Sequence, residues 1–396
     1  MGVSGKLEEV VPFALMVTME GSTIALTILA KTAMTGGMSP FVFIVYTNTL
    51  ASIILLPFSF LFHRGERIQQ PLFTLPLLLR FFFMGLTGIA IAQNCAFLGL
   101  YYSSPIVVCV MGLTIPAVSF IVSLIFRTTK LDWKSSSIRV KVVGTLISIM
   151  GALMVEIYKG PFIRKASSSQ LQSQKPSLFV FYTAPDRWVL GGILLATSSL
   201  SVSLWNIIQM GTIKLYPQPM KVASFYSIAG TLQCALISLM VERDLNSWKL
   251  KLNWDLLLIV VTVSSYIVTS NCIFVRIVKE YICPDHENIN IYVMLQAIFG
   301  SIIRTSVHIS CTHMKGSFYV PLFKPFGIVF ATTFGVSFFT NALHYGSVIG
   351  AVITGMGYYT VMWGQLREDE LRKRKSVERV ESSDENVPLL QEENEV

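Results

Sequence analysis

Ten windows of this chain are each apolar for about the 20 residues a helix needs to cross a hydrocarbon layer, and no other feature restricts the fold as tightly. They cover residues 10–30, 40–62, 76–98, 105–126, 142–158, 188–210, 222–241, 256–311, 321–340 and 345–364. The composition agrees, with 53% hydrophobic and 14% charged residues; a soluble domain carries about 25% charged. No amphipathic helices alternate with these windows, and the polar-apolar alternation of a membrane β-barrel is missing. The expected class is an all-α polytopic membrane protein. The first window is read as a span rather than a cleaved leader, because Glu8 and Glu9 precede it and no small-x-small cleavage site follows.

Lys and Arg concentrate in cytosolic flanks. With the N-terminus inside, the inner segments hold 18 of them and the outer segments nine, counting Lys31 as outer and Lys141, Lys315 and Lys324 as inner. Both termini are therefore expected in the cytosol. The net charge of +8 follows from this topology and gives no case for nucleic acid. The six cysteines form no CxxC, and Cys311-Thr312-His313 with His308 fits no standard metal-ligand spacing. No HExxH, GxSxG or phosphate-binding loop occurs. No enzyme, metal or cofactor is expected.

The two halves, 10–160 and 187–364, end alike. Span five carries Gly144 and Gly151, and span ten carries Gly350 and Gly357 at the same spacing. Pro116 and Pro325 fall inside the fourth helix of each half. A repeat of five helices is an odd number, so the second copy must enter the membrane from the opposite side. Inverted repeats imply alternating access around a site near the midplane. Small residues also let helices pack closely, as Gly346-x-x-x-Gly350 would, and both readings can hold. The remaining segments are a short N-terminus (1–9), a Ser- and Gln-rich connector (161–186) and a basic-then-acidic tail (365–396) expected to be disordered.

Polar groups inside the spans mark the candidate pathway. Glu20 lies mid-window, where a carboxylate costs about 2.5–3.5 kcal/mol on insertion scales. The leucine, isoleucine, valine and phenylalanine residues around it return about 3–5 kcal/mol, so the span inserts with little surplus. An acid at this depth faces the bundle interior. It either meets substrate or a proton, in which case Glu20→Gln should flatten the pH dependence of transport, or pairs structurally with Arg304 or Arg80. Gln93 and Asn94, Asn206 and Gln209, and Arg304 with His308 are the other candidate lining residues, against the plain alternative of interhelical hydrogen bonds. Pro116 and Pro325 free carbonyls within helices, which either line a cavity or only kink the chain. Tyr358, Tyr359 and Trp363 read as interfacial anchors. In the tail, Glu385 with Leu389 and Leu390 fits an acidic dileucine signal read by a sorting adaptor, so the expected location is the plasma or the vacuolar membrane.

One ordered set of motifs carries a resemblance. Lys31-Thr-Ala-Met-Thr-Gly-Gly-Met-Ser-Pro40 comes first, then Gln93-Asn94 with Gly99-Leu100, Lys141-Val-Val-Gly-Thr145 and Tyr158-Lys-Gly-Pro161. Glu242-Arg-Asp244, Lys315-Gly316, Phe323-Lys-Pro325, Gly346-Ser-Val-Ile-Gly-Ala351 and Trp363-Gly364 follow. Together these resemble the plant nodulin-21-like, Walls-Are-Thin-related transporters of the EamA drug/metabolite superfamily. The family is also called the Usually Multiple Acids Move In and Out Transporters. The resemblance implies ten helices in two EamA repeats and movement of amino acids or related metabolites; some members move auxin, so auxin or another small organic acid is the alternative substrate. Protons are the candidate coupling ion.

Two positions depart from the family pattern. Its members commonly have a neutral residue where Glu20 stands. In span eight, residues 263–296 separate two stretches that are continuous in the family. We read this insertion as a retained intron or a gene-model artefact, which sequencing of transcripts across it tests. If it disables the second half, the chain is a non-transporting isoform.

Overall fold

The computed structural model describes residues 3–35, 37–61, 74–126, 135–158, 187–216, 218–248, 304–315, 319–338 and 345–384. The connector 161–186, the insertion 263–296 and the dileucine motif lie outside the described residues.

Every described segment of span length is helical, and the boundaries follow the apolar windows. Val3–Thr35 forms span one, Pro40–Leu61 span two and Ser136–Ile157 span five. Trp188–Leu215 and Pro219–Val241 form spans six and seven, Arg304–Lys315 the described part of span eight, and Tyr345–Asp384 contains span ten. Among the described residues five helices are long and apolar enough to cross a membrane, or six if a bent pair in span four counts as one. Prolines begin several helices, as Pro40, Pro105 and Pro219 do, where the missing N–H has no intrahelical partner to lose.

Spans three, four and nine are interrupted. In span three a π-helical turn, Leu86–Ile91, joins Leu75–Gly85 to Ala92–Tyr102. In span four Pro105–Leu113 meets Ile115–Ile125 at a 41° bend. Span nine consists of Tyr319–Leu322, three turn residues and Phe326–Phe338. Both breaks fall where Pro116 and Pro325 stand, so the prolines do interrupt their helices.

Spans five and ten lie backbone against backbone. Gly144 abuts Gly357 and Val361, Gly151 abuts Gly350 and Thr354, Val155 abuts Gly350, and Ser148 abuts Gly357. Residue numbers rise along one helix as they fall along the other, so the pair is antiparallel. Exchanging the equivalent glycines, 144 for 350 and 151 for 357, turns the contact 144–357 into 350–151, which is also present. Such self-complementarity is the mark of a two-fold axis. The other contacts obey it too: span one packs on spans eight and nine, and span six packs on spans three and four. The repeats are therefore inverted, and the glycines serve close packing as well.

Three positions differ from the sequence reading. Lys31, counted as a loop charge, is buried in the last turns of span one, and its ammonium donates to the carbonyls of Leu100 (3.1 Å) and Ser103 at the C-terminal end of span three. A cation there completes carbonyls that the helix leaves unpaired and meets the negative end of its dipole. Just beyond, Gly37 at φ 105° ends the helix, with Met38 N–H donating to Ala33 O and Gly37 N–H to Met34 O, a Schellman stop that favours glycine. Lys31→Met should expose both span-three carbonyls to an apolar interior and lower stability by about 1–3 kcal/mol, read as a drop in melting temperature in detergent. Tyr358 is buried rather than interfacial. The helix of span ten runs past Gly364 to Asp384, where a disordered tail was expected. Its first turns are tied down by the Lys141–Glu368 ion pair and by Arg367 over the Trp363 ring at 4.5 Å.

Candidate functional site

Glu20 is 4% exposed, and a carboxylate that deep needs a cationic partner. The partner is Lys324, whose Nζ lies 3.2 Å from Glu20 Oε1. Neither expected base takes this place: Arg80 reaches across to Gly211 of span six. Lys324 stands in the three-residue break of span nine, directly before Pro325. Its side chain keeps 37% of its surface uncovered, against 5% for Glu20. The acid of the pair is thus buried and its base part-exposed.

Span eight supplies the rest. Arg304, Val307, His308 and Cys311 follow the 3, 4, 7 spacing of one helical stripe. Cys311 and Val307 pack with Met16, Val320 and Phe323. Met16 is one turn before Glu20, and Phe323 is next to Lys324. Of the candidates from the sequence, Glu20 thus pairs with Lys324, which the sequence reading had placed among flanking charges, and Arg304 and His308 share the helical stripe whose Val307 and Cys311 pack beside the pair. Gly327 leaves room beside the pair, since a Cβ there would stand 3.8 Å from Glu20 Oε2.

The break that presents Lys324 is held by span ten. The Tyr358 hydroxyl donates to Pro321 O at 2.7 Å and the Tyr359 hydroxyl to Leu322 O at 3.0 Å. At the corresponding break in span four, Ser199 and Ser203 of span six donate to Met111 O (2.9 Å) and Ile115 O (3.2 Å). In span nine the carbonyl that Pro325 releases, that of Pro321, is thus taken up by a hydroxyl of a neighbouring helix, and in span four carbonyls beside the break are met in the same way, the usual condition for irregular backbone within a membrane.

Gln93 and Asn94 are not part of this cluster. Asn48 of span two donates to Gln93 Oε1 at 2.6 Å, and Asn94 Nδ2 contacts Cys234 Sγ of span seven at 3.4 Å. Ser52 bonds Ser227 (2.7 Å) and Thr231 (3.0 Å) in the same seam. These residues join spans two, three and seven. Asn94 Oδ1 is nevertheless buried without a hydrogen-bond partner among the described residues. Asn206 and Gln209 follow Trp205 within one turn, and the ring of Trp205 lies against Gly88 in the π-turn of span three and 5.8 Å from Tyr226. They stand on span six, apart from the Glu20–Lys324 pair.

Relatives matched over nearly the whole chain decide the family. A WAT1-related protein of Arabidopsis thaliana is 54% identical over 401 residues, spanning 98% of this chain and 98% of its own. A second from the same plant is 49% identical over 391 residues (97% and 96%), and a third is 32% identical over 365 residues (92% and 89%). The chain belongs to the WAT1-related family. The pattern of the EamA-like transporter family matches residues 14–157. As a WAT1-related EamA protein the chain is a multi-pass membrane transporter of small molecules.

Proposed function

We propose that this WAT1-related protein moves amino acids or related small metabolites by alternating access, with the Glu20–Lys324 pair as the substrate contact. The observation that carries the reading is a buried carboxylate paired with a part-exposed lysine at a helix break. An amino acid presents one ammonium and one carboxylate, and can exchange partners with an ion pair of the same two groups without stranding a charge. The inverted repeats supply a symmetric way of opening to either side, and a proton on Glu20 is the candidate coupling step. In this reading both termini are cytosolic, the dileucine motif meets a sorting adaptor, and the plasma or vacuolar membrane is the location.

The test is release of radiolabelled amino acids from loaded oocytes. The full chain should release them above uninjected controls, and Glu20→Gln should remove most of that release at equal surface abundance. A form lacking residues 263–296 belongs in the same experiment: release by that form alone would make this chain a disabled isoform. No release by either form at the surface would end the amino-acid reading.

A second reading has its own observation. Phe323 stacks on Phe326 at 5.8 Å and meets Phe13 at 5.4 Å and Tyr319 at 5.0 Å edge-on. Aromatic walls beside the Lys324 ammonium suit an aromatic carboxylate such as auxin, and labelled auxin in the same oocytes decides between the two.

A further inference from the structure

Two seams join the repeats, and they are built differently. Spans five and ten touch backbone to backbone over their whole length, from Gly364 against Ser137 O to Gly346 against Tyr158 O. Spans two and seven, the other packed pair of equivalents, meet through side chains. Pro40 and Pro219 begin these two helices, and Ser52 and Thr231 each stand twelve residues further on. Their hydroxyls lie 3.0 Å apart. A contact between equivalent positions maps onto itself when the repeats exchange places, so this pair marks the two-fold axis. It is kept in any motion that swaps the conformations of the two repeats.

Towards the end where span two begins, the second seam is shut. Ser238 of span seven donates to Phe41 O at 3.2 Å. Beyond span seven the chain returns to span two: the Tyr46 hydroxyl donates to Trp248 O at 2.7 Å, and the two rings meet edge-on at 6.2 Å. The Trp248 indole donates to Glu242 O at 3.3 Å, which fixes the turn. Trp248 packs on a cluster that holds Ile44, Val45, Ile89, Ala90 and the fully buried Cys234. Single hydrogen bonds between neutral groups are weak ties between helices, so this end parts at little cost. The glycine seam has no side chains to rearrange and holds along its length.

We propose that spans two and seven form the gate between the repeats, pivoting at Ser52–Thr231, with Trp248 as the latch that closes one end. In one facing state Trp248 sits on Tyr46 and Ser238 on Phe41, as here. In the other these contacts part while spans five and ten stay joined. This inference rests on the alternating-access reading above and not on the identity of the substrate.

Two links between the same two helices should give opposite results. The full chain, with its six cysteines replaced, carries a protease site in the connector 161–186, so that linkage shows on a non-reducing gel. It is reconstituted in vesicles loaded with labelled glutamine. Linking Phe41→Cys to Ser238→Cys should stop release, and dithiothreitol should restore it. Linking Ser52→Cys to Thr231→Cys should leave release equal in the linked and reduced forms. A pair that oxidation leaves open is bridged with a short bis-methanethiosulfonate. Release unaffected by the first link, or stopped by the second, overturns the proposal. A readout without substrate accompanies it, the rate at which a thiol reagent alkylates Cys234 in a chain keeping that cysteine alone. Tyr46→Phe keeps the ring and removes one hydrogen bond, and should raise the rate; Trp248→Ala should raise it further. A rate unchanged in both overturns the latch. If no form releases glutamine, the amino-acid reading fails and the alkylation rates alone decide the gate.

Discussion

Lys324→Met should abolish transport and lower the melting temperature of the detergent-purified protein by several degrees. Glu20 is then a buried carboxylate without its base, and breaking a buried pair by removing one partner costs about 3–5 kcal/mol. Glu20→Gln alone should cost less, because Lys324, unlike Glu20, keeps part of its side chain uncovered. The decisive variant is the double one. Glu20→Gln with Lys324→Met removes both charges and should recover most of the stability lost in Lys324→Met, since a neutral replacement for a buried ion pair is often tolerated. Transport should stay absent. A purely structural pair would behave otherwise, with stability and transport returning together in the double variant. Normal transport and unchanged melting in Lys324→Met would show that the pair does neither job.

Why Lys324 escaped the sequence reading while Glu20 did not is a matter of position. A carboxylate in the middle of an apolar window has no innocent explanation, so Glu20 stands out from composition alone. A lysine near the end of a window is what topology rules expect of a flank. Lys324 was counted as such, and Lys31 likewise, yet both have partners inside the bundle. The available signal was complementary: one lone acid requires one base, and Lys324 directly before Pro325 was a base at a predicted helix break.

The glycines and prolines were legible because their physics is local and repeats. Equal spacing in spans five and ten predicted equivalent helices, and the odd number of spans per repeat predicted their opposite sense. The faces of span three were less legible. A π-turn adds one residue to the helix, which rotates all that follows by about 100°. Gln93 and Asn94 come directly after that turn, so a face assigned by regular periodicity points elsewhere than the face the helix presents. Their contacts run to spans two and seven. Nothing in Leu86–Ile91 as a string of residues announces the extra turn except Gly88, which the Trp205 ring needs for its approach.

The glycine contact supports the second large prediction. Gly151→Ala should reduce folded protein sharply, because its new Cβ would lie 2.5 Å from the Thr354 amide nitrogen and 2.9 Å from Gly350 O. These are backbone atoms of a facing helix, which cannot swing aside as a flexible side-chain end can. Overpacking of this kind costs about 1–3 kcal/mol or more, against the roughly 0.5–1 kcal/mol that alanine gains over glycine within a helix. Gly112→Ala in span four is the control: no atom lies within 4 Å of its Cβ position, so only the propensity gain remains and stability should hold or rise. Gly357→Ala should repeat the Gly151 defect, since the two glycines are equivalent and its Cβ would lie 2.8 Å from Gly144 O. Combining the two should cost less than their sum. Each forces the same two helices apart, and once the first has done so the second finds room already made. Strict additivity would mean that the two ends of the contact yield independently, and the antiparallel pair would then be a flexible seam between the repeats instead of a rigid joint.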